Sequence, residues 1–202
     1  MVEQKNPGSR RGYRMARRQE TLNDTRERIA AAAFELHGEI GPSRTTISAI
    51  AERAGVQRHT VYNHFPDLNA LFQACTAHGM RVMRIPEAGP WRAIVDPTDR
   101  LRYGLGELYL VYRTNARPLG TILRDMPAMA DVGGDEAFTD RMSGLFAALA
   151  DGWGDDDSGN ALRAAAIGHA MRFETWQSLT DGGLTDDQAR DLMLDLVTRI
   201  GR

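Results

Sequence analysis

Apolar residues recur at helical spacing along most of this chain, and no run of alternating apolar and polar residues competes with them. Gly and Pro residues separate the periodic stretches and mark their ends. The pattern predicts helices over about residues 24–39, 46–54, 57–64, 67–84, 97–115, 119–126, 136–150, 161–179 and 185–200. Residues 86–97, with Gly89-Pro90 at their centre, are predicted to be a loop. Asp24, Asp67 and Thr185 can cap the helices that begin at them. An all-α fold follows.

Two of these helices are short and are joined by a glycine. Ile47, Ile50, Ala51 and Ala54 stand at i, i+3, i+4 and i+7, which gives the first of them one apolar face. We expect Thr46 to cap its N-terminus and Gly55 to end it with a positive φ. The second helix, over residues 57–64, is polar and has few core positions. A helix of that kind depends on its neighbours for stability and leaves a face free for contact.

Together these segments resemble the N-terminal domain of the TetR family of bacterial transcriptional regulators, over about residues 25–72. The residues that carry the resemblance are Ile29, Ala32, Ala33, Leu36, Gly41, Thr46, Ile50, Ala51, Ala54, Gly55, Val56, Thr60, Val61, Tyr62, His64, Phe65 and Leu71. The chain departs from the family pattern at three positions. It has Gln57 where Ser is common, Leu68 where Lys is common, and His37 where an aromatic residue is usual.

The basic composition of the N-terminus and the resemblance together predict three regions in the chain. Residues 1–23 are expected to be a basic arm without fixed structure, residues 24–69 a three-helix DNA-binding head containing a helix-turn-helix, and residues 70–202 a larger helical body for effector binding and dimerisation. Charge agrees with this division, because residues 1–85 carry 13 basic and 8 acidic side chains whereas the remainder carries 12 and 19. A positive head on an acidic body suits docking of one end on DNA, although chance asymmetry is the alternative. The arm is either a DNA contact or a solvated tail.

The second short helix offers the residue types that read DNA. Arg pairs well with guanine, and Asn or Gln with adenine, so the candidates for base edges are Gln57, Arg58, His59 and Asn63. The resemblance implies phosphate contacts for Tyr62 and His64, and we group Thr60 with them. Arg44 and Thr46 stand near the start of the preceding helix, within reach of a phosphate. For any one of these residues a solvated surface is the alternative.

The body is rich in Met and aromatic residues. In the family that this chain resembles, the central helices enclose a pocket for a small effector, and such side chains suit an adaptable apolar site. Our candidates for the effector pocket are Tyr109, Tyr112, Met142, Phe146, His169 and Trp176. Ordinary core packing is the alternative for each of them, and for His169 a hydrogen-bonded core histidine.

Two apolar stripes near the C-terminus resemble the paired helices through which the family dimerises. They run over residues 173–179 and 192–200, and intramolecular core is the alternative. A two-fold dimer would present its heads to successive major grooves of double-stranded DNA, so we expect an inverted-repeat operator.

Other classes of function find little support. The five His residues show no paired metal-ligand spacing and Cys75 is alone, so we expect no metal, no cofactor and no disulfide. No catalytic signature or membrane-length apolar run is present, and no secretory signal is recognisable, so we expect a cytoplasmic protein that is not an enzyme.

The sequence therefore predicts a homodimeric repressor released from DNA by a small apolar or aromatic effector, with the fourth helix linking head and body. A DNA-binding regulator without ligand control is one alternative, and a helical small-molecule carrier or enzyme is the other.

Overall fold

The described part of this computed structural model comprises residues 7–129, 131–133, 136–154 and 157–200, with side chains described from residue 15 onward except at 16, 157 and 158. Within it the chain is helical and contains no β-strand. The α-helices are α1 (Pro7–Ile40), α2 (Ile47–Arg53), α3 (Arg58–His64), α4 (Leu68–Val82), α5 (Ala88–Arg92), α6 (Pro97–Thr114), α7 (Ala116–Asp125), α8 (Glu136–Ala150), α9 (Asp157–Ala170), α10 (Phe173–Asp181) and α11 (Asp186–Thr198). Short 3-10 helices cover Pro42–Arg44 and Met126–Met129.

The head has its own small core. Its buried residues come from the second half of α1, from α2 and α3, and from the start of α4: Ile29, Ala32, Ala33, Leu36, Ile50, Ala51, Val61, Phe65, Leu71 and Cys75. Two side-chain caps fix helix starts here as the sequence predicts, since Thr46 accepts from Ala49 N at 3.2 Å and Asp67 accepts from Ala70 N at 2.7 Å.

The body buries a second and larger core. It is built mainly from α6, α8, α9, α10 and α11, with the fully buried Trp91 of α5 packed against Gly104 of α6. Thr185 and Gln188 form a capping box at the start of α11, where Thr185 is the predicted cap. Phe34 of α1 packs against both cores, so the head and the body meet along α1 and α4.

Helix α1 begins 17 residues before the Asp24 start that we predicted, at Pro7. The expectation of an unstructured arm was therefore wrong for residues 7–23, while residues 1–6 lie outside the described part. We placed the start at Asp24 as a candidate cap, but the residues before it include Arg, Ala, Met, Gln and Glu, which all have good helix propensity. Contacts within the helix also support it, because Gln19 donates to Asn23 at 3.1 Å.

Two more predictions of local structure were wrong. The expected loop over residues 86–97 contains α5, whose Pro90 stands in the first turn, where a missing N–H costs little. The expected single helix over 161–179 is divided into α9 and α10 at Met171-Arg172. Side chains compensate for the missing helical bonds there: Tyr109 donates to Ala170 O at 2.9 Å and Tyr112 to Met171 O at 2.5 Å.

Candidate DNA-binding surface and effector cavity

A glycine turn sets the angle between α2 and α3. Gly55 has φ 66°, Gly55 N donates to Glu52 O at 3.1 Å, and Val56 N donates to Ala51 O at 2.9 Å. This pair of bonds is a Schellman motif, which uses a left-handed residue to end a helix and satisfy its last carbonyls. The predicted positive φ is confirmed, and α3 leaves the turn in a fixed direction.

Helix α3 has a buried side and an exposed side. Val61 lies in the head core, as does Phe65 directly after the helix, and both are almost fully buried. Arg58, His59, Tyr62 and Asn63 are exposed on the other side at i, i+1, i+4 and i+5, and Gln57 is exposed immediately before the helix. Thr60 and His64 are half-buried at the edges. The structure thus brings the predicted base-reading residues together on one face.

Helix α1 holds the C-terminal end of α3. Arg26 donates from Nη1 to the His64 carbonyl oxygen at 2.5 Å, and its guanidinium carbon lies 4.1 Å from the centroid of the Phe65 ring. The bond satisfies a carbonyl at a helix end, and the stacking is a cation–π contact. Local sequence patterns do not reveal this role of Arg26, because its partners lie 38 and 39 residues away.

The two remaining DNA candidates lie beside α2. Thr46 is exposed and its hydroxyl oxygen caps α2, and its O–H donor remains available to a ligand. Arg44 is exposed, and its Nε donates to Ile40 O at 2.6 Å, which leaves the other guanidinium nitrogens for further contacts.

Two adjoining cavities lie in the body and at its junction with the head. They share Ile85, Leu119, Leu123 and Phe138 in their walls. The larger, of about 360 Å³, lies among α6, α7, α8 and α10 and reaches the surface near the ion pair between Arg172 Nε and Glu174 Oε2, 3.3 Å apart. The smaller, of about 80 Å³, lies between α1, α4 and α7 and is lined by Phe34, His37, Cys75, Met80, Met83 and their neighbours.

The structure places half of the predicted pocket set at these cavities. Tyr112, Met142 and Phe146 line the larger one. The other three candidates, Tyr109, His169 and Trp176, lie outside the walls of both cavities. The ring centroid of Tyr109 lies 6.1 Å from that of Tyr112, and its hydroxyl donates to Ala170 O. Trp176 is buried, and its Nε1 donates to Asp186 at 3.1 Å.

His169, the third of these, is exposed on α9. Its backbone carbonyl accepts from Thr175 Oγ1 at 2.7 Å. All three were chosen for residue type and helical phase, and neither property shows which side of a buried helix faces a void.

Helix α7 lines both cavities, although no residue of it was among the predicted pocket set. Leu119, Ile122 and Leu123 line the smaller cavity, and Leu119 and Leu123 the larger one. The signal was available, because these residues stand at i, i+3 and i+4.

The same helix also contacts the head at both of its ends. At its N-terminal end Pro118 packs so closely on Gly38 that a Cβ there would lie 2.8 Å from Pro118 Cβ. At its C-terminal end Asp125 accepts a hydrogen bond from Ser43 Oγ at 2.7 Å. That bond lowers the pKa of the Asp125 carboxyl below its ordinary value. A helix that lines both cavities is therefore fixed to the turn that precedes α2.

The two predicted dimer stripes divide between core and surface. Phe173 and Trp176 of the first are buried among Tyr112 and the body core, so that part is intramolecular. On the second, Met193 and Val197 are buried, whereas Leu192 and Leu196 are 41% and 53% exposed. Leu162 on the neighbouring α9 is 64% exposed. An apolar surface thus remains along α9 and α11, away from the part of α10 that we predicted.

Among the described residues, no three His, Cys, Asp or Glu side chains converge in a way that could hold a metal ion. No helix in the described ranges is both long enough and apolar enough to cross a membrane.

Comparison with known proteins finds similarity to bacterial transcriptional regulators. The model of the family "Bacterial regulatory proteins, tetR family" matches residues 29–75. Uncharacterized HTH-type transcriptional regulators of Mycobacterium bovis and Mycobacterium tuberculosis are 40% identical over 86 residues, which cover 39% of this chain and 46% of each relative. The chain thus matches about half the length of these curated relatives.

Solved structures extend the likeness to most of the fold. A TetR-like transcriptional regulator from Rhodococcus sp. RHA1 superposes with a TM-score of 0.62 at 22% identity, covering 87% of this chain and 94% of that one. NalD, the secondary repressor of the MexAB-OprM multidrug efflux pump in Pseudomonas aeruginosa, gives 0.58 at 21% identity, covering 88% and 96%. At these identities the likeness concerns the fold alone.

Proposed function

We propose that this chain, whose residues 29–75 match the TetR family of bacterial regulatory proteins, is a homodimeric repressor that binds an inverted-repeat operator and is released by a small effector. The observation that carries this proposal is the exposed face of α3, where Arg58, His59, Tyr62 and Asn63 stand together above a buried Val61. A helix held at that angle by the Gly55 turn can enter the major groove.

The residues on and beside α3 would contact two different parts of the DNA, the base edges and the phosphates. Gln57, Arg58, His59 and Asn63 are exposed and would contact base edges, with Arg58 favouring guanine and Asn63 adenine. Thr60, Tyr62 and His64 would bind phosphates on one side of the groove. Arg44 and Thr46 would bind phosphates beside α2 and so fix the register of α3.

The two cavities support an apolar effector. A volume of about 360 Å³ falls within the usual range of ligand pockets. Leu108, Tyr112, Met142 and Phe146 would contact the ligand, while Arg172 and Glu174 at the mouth offer polar handles. The smaller cavity would take a short apolar substituent between the head and the body.

Helix α7 and helix α4 would carry the effect of the ligand to the DNA. Leu119 and Leu123 stand between the two cavities, and Asp125 of the same helix holds Ser43 beside the head. A ligand that displaces α7 would strain this bond and rotate the heads away from the spacing of two successive major grooves. Its effect on DNA affinity equals its differential affinity for the two conformations.

The test is a titration of the full chain against the DNA that flanks its own gene, over a salt series. We expect tight binding to one inverted repeat, a loss of at least 10-fold for Arg58→Ala or Tyr62→Ala, and native affinity for the control Arg102→Ala on α6. An apolar compound that binds the native cavity should weaken DNA binding. By reciprocity, operator DNA should weaken binding of that compound by the same factor.

Two results would contradict parts of the proposal. Binding without sequence preference, equally strong in both α3 variants, would exclude α3 as the reading element. Independent binding of the compound and of DNA would leave a regulator without ligand control.

A further inference from the structure

The extension, as we call residues 7–25, is the N-terminal part of α1 and continues past the contacts that α1 makes with the rest of the head. Near its C-terminus α1 contacts the body through Gly38 and Pro118, and 12 residues earlier Arg26 contacts the end of α3. At about 1.5 Å per residue, these two contacts lie about 18 Å apart along the axis. The 19 residues from Arg26 back to Pro7 extend the helix by about 28 Å in the same direction. On the same turn as Arg26, Glu27 contacts His78 and Arg81 near the C-terminal end of α4, so residues 7–25 lie beyond the described contacts of α1 with both α3 and α4.

The extension has no described partner elsewhere in the molecule. Met15 and all side chains from Arg17 to Asp24 are exposed, and the side-chain hydrogen bonds of Gln19 and Thr21 stay within the helix. An isolated helical segment that packs against nothing contributes little to the stability of the fold.

Its basic residues occupy one face. Arg10, Arg11, Arg14, Arg17 and Arg18 stand at i, i+1, i+4, i+7 and i+8, which places them within about 120° around a helix of 3.6 residues per turn. Residues 7–18 include no Asp or Glu. A helical face with five positive charges and no negative one is suited to a polyanion.

That face continues the one by which α1 packs onto the head. Eighteen residues make five full helical turns, so positions 11, 14 and 18 align with Ile29, Ala32 and Leu36, which are buried in the head core. These three arginine positions therefore lie on the side of α1 that packs on the head core, but beyond the end of the head, while positions 10 and 17 border that side and align with the exposed Arg28 and Glu35. A duplex bound by α3 would occupy that space.

We propose that residues 7–25 form a second DNA-binding element, which binds phosphates of the double helix outside the major groove occupied by α3. The ligand is the phosphate backbone of double-stranded DNA flanking each half-site. This inference rests on the proposed function, and adds to it a contact that is independent of sequence and lengthens the site. Phosphate neutralisation by Arg releases counterions, so its contribution falls as salt rises.

The test compares the native chain with Arg14→Gln/Arg17→Gln/Arg18→Gln. Gln keeps the helix propensity while removing the charge. A control with the same net charge replaces three exposed arginines of the body, Arg92→Gln/Arg102→Gln/Arg113→Gln. Affinity is measured over a salt series on two duplexes, one ending at the operator half-sites and one with about ten further base pairs on each side, a full turn of DNA.

We expect the extension variant to bind the longer duplex at least 10-fold more weakly at low salt. The slope of log K against log salt should become shallower by about 0.9 for each phosphate that the variant no longer neutralises. The preference for operator over unrelated DNA should stay unchanged. The native chain, but not this variant, should bind the longer duplex more tightly and protect its flanks in a hydroxyl-radical footprint.

The outcomes separate the two proposals. Sequence-specific binding with the same affinity, salt slope and footprint in the native chain and the extension variant would overturn this inference alone. Equal decreases in affinity in the extension variant and the body control would overturn it too, because net charge would then explain the effect. Absence of sequence-specific binding by the native chain would overturn the proposed function, and this inference with it.

Discussion

His37 is a buried histidine whose environment keeps it neutral. Its Nδ1 lies 3.3 Å from the Sγ of Cys75, and its ring centroid lies 5.6 Å from that of Phe72. Burial lowers the pKa of His37 to about 4 and raises the pKa of the Cys75 thiol to about 12. Both groups are therefore uncharged near neutral pH. They form a weakly polar contact between α1 and α4. An aromatic side chain at position 37 could fill the same space by apolar packing.

Acid should destabilise the protein partly through this residue. The unfolded chain binds a proton at His37 near pH 6.5, whereas the folded chain resists it down to about pH 4, so stability falls as pH drops through that window. The full effect would be about 3 kcal/mol at most. We expect His37→Phe to flatten the dependence of unfolding free energy on pH between 6.5 and 4.5, measured by urea denaturation.

The native protein provides the control for this measurement, because it keeps His37 and shares every other titratable group with the variant. The difference between the two proteins therefore separates His37 from the acidic groups that titrate in the same range. Identical pH dependence in the native protein and in His37→Phe would contradict the assignment of a low pKa to His37.

Among the elements, the α2–α3 turn depends on backbone conformation more than on space. An added Cβ at Gly55 meets nothing within 4 Å, but φ is 66°. A left-handed residue other than glycine costs about 1–2 kcal/mol. We expect Gly55→Ala to lower the unfolding free energy by about that amount and to weaken operator binding, because relaxation of the strain would tilt α3.

Gly144 offers a matched comparison within α8. A Cβ there also meets nothing within 4 Å, but the residue lies in the interior of a helix, where Ala is favoured over Gly by about 1 kcal/mol. Gly144→Ala should therefore stabilise the protein. If the two substitutions had the same sign in thermal and denaturant unfolding, the conformational argument for Gly55 would fail.

Elements defined by local signals could be predicted from the sequence, and elements defined by distant contacts could not. The Thr46, Asp67 and Thr185 caps depend on residues three positions away, so their helix starts were predicted. The division between α9 and α10 depends on Tyr109 and Tyr112, about 60 residues earlier in the chain. Apolar periodicity continues across that break and gives no sign of it.

The difference between local signals and distant contacts also explains which residues of the α3 face and of the cavity could be predicted. The exposed face of α3 follows from the phase of one short helix, so all four of Arg58, His59, Tyr62 and Asn63 were placed on it correctly. A cavity is the space left between several helices, and its walls depend on how they pack. Only Tyr112, Met142 and Phe146 were identified among its lining residues, while the contribution of α7 was missed.

At the scale of the whole molecule, the exposed leucines point to the surface that would join two protomers. Arg163 of α9 donates to Val197 O at 2.5 Å, which holds α9 against α11. Leu192 and Leu196 stand one turn apart on α11, and Leu162 stands on α9, all with large exposed fractions. Burial of such a face between two copies would remove apolar area from water and set the distance between the two heads.

Charge on this face should therefore separate the protomers. We expect Leu192→Glu/Leu196→Glu to sediment as a monomer, since dimerisation would bury four unpaired carboxylates at the interface. Each head would then bind its half-site alone, and affinity for the full inverted repeat should fall by about 10²–10⁴ because the two heads are no longer linked. Val95→Glu adds a carboxylate at a 90% exposed apolar residue before α6 and should remain a dimer with native affinity. A double variant that still sediments as a dimer would place the interface elsewhere, and the operator geometry would then have to be derived from that other surface.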